Sequence, residues 1–91
     1  MNKHEMLEQE FCRFIFEKTG GDGKQAEVAR QAFAVSDPPT IWQRVRKGER
    51  KLTLSEASAL SETTGKSLSW ILAQVEAAVE DHVDQQTRKS A

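Results

Sequence analysis

Residues 42 to 51 read Trp-Gln-Arg-Val-Arg-Lys-Gly-Glu-Arg-Lys and hold the densest chemistry in the chain. Arg44, Arg46, Lys47, Arg50 and Lys51 stand against one acid, Glu49, so five cations less one acid give a local charge of +4. The whole chain is formally −1. Arginine forks and glutamine amides pair with base edges, and lysines hold phosphates. At helical spacing, Ile41, Trp42 and Val45 share one side, while Thr40, Gln43, Arg44 and Lys47 stay outside. A short helix with an aromatic underside and a basic, amide-bearing outer face suits the major groove of DNA. The competing reading of any charge run is an ordinary solvated helix face.

Glycines and prolines punctuate five expected helices, and no segment alternates like a strand. The first is expected from about Asn2 to Lys18, with Leu7, Phe11, Phe14 and Ile15 on one stripe and Phe16 off it. Gly20-Gly21 stops it. The second spans about Lys24 to Phe33, capped by Asp22 or Gly23, and buries Val28, Ala29, Ala32 and Phe33. Asp37 caps the third, with Pro38 at the first helical position, and Gly48 ends it after about Lys47. Thr53-Leu54-Ser55-Glu56 is a capping box for a fourth helix that buries Leu54, Ala57 and Leu60 and stops at Gly65. Ser67 caps the fifth, which carries Leu68, Ile71, Leu72, Val75, Ala78, Val79 and Val83. These elements make one domain, residues 1–84, with the fifth helix at about 68–84 and a flexible polar tail at 85–91.

A chain of 91 residues, 37% apolar and with six aromatics (two Trp, four Phe), has one modest core. No apolar run nears the roughly 20 residues a membrane helix needs, and the N-terminus lacks a run of signal-peptide length. Cys12 is the only cysteine, which excludes an internal disulfide and fits a reducing compartment. A cytoplasmic protein with no membrane partner is therefore expected. His4, His82 and Cys12 have no metal-ligand spacing, so no metal and no cofactor are expected. No nucleophile–base arrangement favours catalysis. Gly20-Gly21-Asp22-Gly23-Lys24 follows a helix, not a strand, and lacks phosphate-loop spacing.

Two short helices joined by a turn, the second one basic, suggest a helix-turn-helix at about 24–47. From Lys24 to Leu72 the sequence resembles the Cro and phage-repressor-like (lambda-repressor-like) helix-turn-helix family. Gln25-Ala26-Glu27-Val28-Ala29 looks like its opening Gln-x-x-Leu-Ala, and Trp42 to Arg50 like its recognition helix with a basic-Gly-basic turn. Leu54, Ala57, Leu60, Thr64-Gly65 and Ser67-Leu68-x-x-Ile71-Leu72 look like its last two helices. Two departures stand out: the Phe33–Pro39 link is long and holds two prolines, and Arg46 replaces a common Glu.

The resemblance implies an all-α, five-helix domain that binds double-stranded DNA as a sequence-specific regulator, a phage- or prophage-type repressor. Thr40, Gln43 and Arg44 would then read bases from the third helix. Lys24, Gln25, Ser36, Lys47, Arg50, Lys51 and Thr53 would hold the sugar–phosphate backbone, Lys24 and Gln25 beside the free N–H groups of a helix start. Trp42 is expected in the core. Two half-sites about 34 Å apart call for a homodimer. Trp70, Val75, Val79 and Val83 are its expected contacts, the competing expectation being that Val75 and Val79 pack on the first helix. The alternative function is a helix-turn-helix scaffold that acts as an antitoxin or anti-repressor, with a protein partner on the C-terminal helix.

Overall fold

Asn2 opens the first helix because its side-chain oxygen accepts the Glu5 backbone N–H at 2.9 Å, which satisfies a donor left free at the helix start. The computed structural model describes the backbone of residues 2–90 and side chains through residue 82. In it this helix, α1, spans Lys3–Lys18. Gly20 N–H bonds Glu17 O and Gly21 N–H bonds Phe16 O, the paired closure of a Schellman turn, with Gly20 at φ +100°.

One 3-10 turn, Asp22–Lys24, precedes α2, Gln25–Ala32. That turn absorbs Asp22 and Gly23, so the cap expected from them does not form. Lys24 holds the cap position without a side-chain bond. Helix α3 spans Pro38–Arg46 behind Asp37. The Asp37 carboxylate does not cap it. It accepts instead from the Thr40 hydroxyl at 2.7 Å, and two prolines in the first turn leave fewer N–H groups to satisfy.

Thr53 and Glu56 close a full capping box on α4, Leu54–Glu62. Ser67 Oγ accepts the Trp70 N–H at the start of α5, Leu68–Ser90. Val83 and the polar tail expected at 85–91 lie outside the residues whose side chains are described.

Helices α1 and α5 run antiparallel. Phe14 meets the Trp70 ring at 6.3 Å near one end, and Lys3 meets Glu80 at 3.7 Å near the other. Helix α2 packs on α3 and α4. All five helices contribute to one core: Phe11, Cys12, Ile15, Val28, Ala29, Phe33, Trp42, Val45, Leu60, Ile71, Val75 and Val79. Each large member contributes about 1.5–3 kcal/mol by burial, so a fold this small depends on all of them.

Three expectations change. Leu54 is 77% exposed, because the first residue of α4 projects past the core that Leu60 fills. Ala78 is exposed as well. Val75 and Val79 are 3% and 1% exposed within a single chain, packed on the side of α5 that faces α1, so neither can supply a dimer contact.

Candidate nucleic-acid interface

The outer surface of α3 exists because its underside is anchored. Trp42 and Val45 are 0% and 1% exposed, and the Trp42 indole N–H donates to Gln25 Oε1 at 2.8 Å. The Gln25 Nε2 then donates to Thr19 Oγ1 at 3.0 Å and to Gly21 O at 2.8 Å. One buried amide thus ties α3 to the end of α1. Every polar atom it offers has a partner, as burial demands.

Gln25 was expected at phosphate. Its side chain is 6% exposed and occupied, so that contact is corrected for the side chain. The physical reason is Trp42, whose buried indole needs an acceptor.

With the underside fixed, Thr40, Gln43, Arg44 and Lys47 follow one another at i, i+3, i+4 and i+7 along a single outer line. Gln43, Arg44 and Lys47 are exposed, while Thr40 is half-buried with its hydroxyl committed to Asp37. Beyond Lys47 the helix closes on Gly48. Glu49 N–H reaches Arg44 O at 2.9 Å and Gly48 N–H reaches Val45 O at 3.1 Å. Gly48 has φ +78°, and a side chain there would also crowd Gln9 Nε2 at 2.8 Å. The turn carries Lys47 and Lys51 to one cleft of 260 Å3, whose wall also holds Glu5, Glu8, Gln9 and Gly48. Glu8 further accepts the Leu52 N–H at 3.2 Å, which pins the basic loop to α1.

The five cations of this stretch have separate fates. Arg46 turns inward, its guanidinium 4.9 Å from the Phe16 ring centre and 5.3 Å from that of Trp42. Its Nε is buried without a partner, and desolvation holds its pKa below the usual arginine value, with Asp22 opposing. Its spacing of four from Trp42 on one helix was the available signal. Arg50 forks onto Glu56, with Nη1 to Oε1 at 2.9 Å and Nη2 to Oε2 at 3.0 Å. This pairing corrects Arg50 as a free phosphate contact, because a bidentate carboxylate already neutralises its charge and takes two of its donors. Thr53 Oγ1 accepts from Glu56 N–H, so its cap duty comes first. Arg44, Lys47 and Lys51 remain outward, with no ion pair among the described residues. Lys24 and Ser36 are exposed on the 3-10 turn and the α2–α3 link, and no described hydrogen bond joins them to the α3 line.

The geometry defines an all-helical domain that presents a short helix with amide and guanidinium groups outward. No helix among the described residues is long and apolar enough to cross a membrane. Compared with protein-family models, curated proteins and solved structures, the chain matches none.

Proposed function

We propose that this protein is a sequence-specific double-stranded DNA-binding regulator of the lambda-repressor-like helix-turn-helix type, with α3 entering the major groove. The observation that carries the reading is the outward line of Gln43, Arg44 and Lys47 above a wholly buried Trp42. A rigid underside lets those side chains reach base edges without reorganising the fold, the preorganisation that readout requires. Gln43 and Arg44 read bases, with Thr40 beside them. Lys47 and Lys51 hold one phosphate strand, with Lys24 and Ser36 as further backbone contacts. The protein acts as a homodimer on two half-sites, as a repressor.

The test is fluorescence anisotropy with labelled duplex DNA over a salt series. Lys24, Lys47 and Lys51 at phosphates predict a slope of log affinity against log salt of about −2.7 per chain. The double charge reversal Arg44→Glu, Lys47→Glu should abolish binding and leave the melting temperature unchanged. A flat salt response, or a double variant that binds as well as wild type, sinks the reading. It would leave the scaffold alternative, in which those charges are a solvated face.

A further inference from the structure

Arg46 belongs to the basic stretch, yet the DNA reading gives it no task. Among the described residues its guanidinium makes no hydrogen bond and no ion pair, and its Nε is buried with no acceptor. Asp22 acts on it only from a distance. A buried donor without an acceptor is costly, and native structures keep few of them. The Phe16 and Trp42 rings supply part of the compensation. Arg46 also lines a cleft of 280 Å3 where α3 meets α1, and Gln9, Glu10, Cys12, Arg13 and Phe16 make up the α1 side. Arg13 and Glu10 pair at 3.3 Å, so their charges cancel and that of Arg46 stands uncompensated. Phe16, together with a Cys12 thiol that burial keeps uncharged, gives the cleft an apolar wall.

We propose that this cleft binds a small organic monocarboxylate, its carboxylate on the Arg46 guanidinium and its compact apolar body against Phe16 and Cys12. Charge sets the sign and the number, because one uncompensated cation calls for one negative charge. Geometry selects the group, because a planar guanidinium fork matches a planar carboxylate at two points. The wall selects the rest. A phosphate brings a second charge and more acceptor oxygens than this wall can serve, since Arg13 is already held by Glu10 and Glu17. The volume of 280 Å3 sits at the lower edge of ligand clefts, roughly 300–1,000 Å3, and suits an acid with one ring or a short branched chain. Desolvation, the first cause that lowers the Arg46 pKa, also strengthens its attraction for an anion that reaches it. The site uses the side of α3 that meets α1, whereas Gln43, Arg44 and Lys47 face out, so it does not rest on the DNA reading.

The experiment is a nitrogen-edited NMR titration of the full chain with sodium benzoate at neutral pH and constant ionic strength, without DNA. Expected are saturable shifts of the Arg46 Nε–H and of the Trp42 indole N–H, whose ring centre lies 5.3 Å from that guanidinium. Half-saturation should fall below about 10 mM. Benzamide keeps the ring without the charge, and inorganic phosphate keeps charge without the ring. Each should bind about tenfold more weakly or worse. Arg46→Met keeps an apolar stem and should no longer respond, while its indole signal reports that the Trp42–Gln25 bond and the fold persist. Phe16→Leu is the second variant, with the guanidinium intact, and should weaken benzoate about threefold or more. Shifts that do not saturate, benzamide as tight as benzoate, a folded Arg46→Met protein that still responds, or an indifferent Phe16→Leu overturns the proposal. Phosphate that binds more tightly than benzoate overturns the carboxylate class. No readout involves DNA, so failure here leaves the DNA reading standing.

Discussion

At the residue scale the decisive contact is between two side chains 17 positions apart, the Trp42 indole and the Gln25 amide. A buried N–H left unpaired costs about 1–3 kcal/mol, more than a made bond contributes. Trp42→Phe keeps most of the apolar bulk but orphans Gln25 Oε1, and Gln25→Leu orphans the indole. Each should lower unfolding stability by about 1–3 kcal/mol in urea. The double variant should lose less than the two losses added, since both removals break one interaction. Strict additivity in urea titrations would show that the bond does not couple α2 to α3. Arg46 teaches the complementary lesson. In a list of charges it counts toward the basic stretch, yet its guanidinium lies against the Phe16 and Trp42 rings and the residue is only half-exposed.

At the element scale, the α4 capping box and the Arg50 fork converge on Glu56. The hydrogen bond from Arg50 is the largest cause holding the Glu56 carboxyl below its usual value, and burial opposes it. A folded pKa below the unfolded one gives stability that is present above about pH 4.3 and lost as pH falls through the lower, folded value. Thermal melts from neutral pH into that acid window should show a decline in wild type that Glu56→Gln flattens. At neutral pH the same variant keeps an oxygen for the Thr53 N–H and weakens the Arg50 fork, a cost of about 0.5–1.5 kcal/mol. Identical acid profiles for the two proteins would remove the linkage. The helix starts and stops were mostly legible, because Asn2, Thr53, Ser67, Gly20 and Gly48 act on neighbours within a few residues. Asp22 did not cap because a 3-10 turn absorbed it, and Asp37 holds the N-cap position as expected while its carboxylate goes to the Thr40 hydroxyl.

At the scale of the whole molecule, the single core makes Cys12 a reporter of global opening. Burial is the first cause that pushes its thiol up to about 12, with Glu8 adding and Arg46 opposing. The nucleophile is the thiolate, so a disulfide reagent at neutral pH should label it only through unfolding, with rates that track stability across variants. Rapid labelling of the native chain would contradict that burial.

Periodicity and punctuation were enough to place five helices, a basic outer line on the third and a core indole at Trp42, because each depends on residues a turn or two apart. The inward Gln25, the Arg50–Glu56 fork, the exposed Leu54 and the burial of Val75 and Val79 were not legible. Each depends on which element packs beside which, and hydrophobic spacing marks an apolar face without naming the surface that covers it. Spacing left Val75 and Val79 equally suited to a dimer contact or to packing on the first helix, and their burial within one chain favours the latter. Trp70 kept its exposure because that helix covers only one side of its ring.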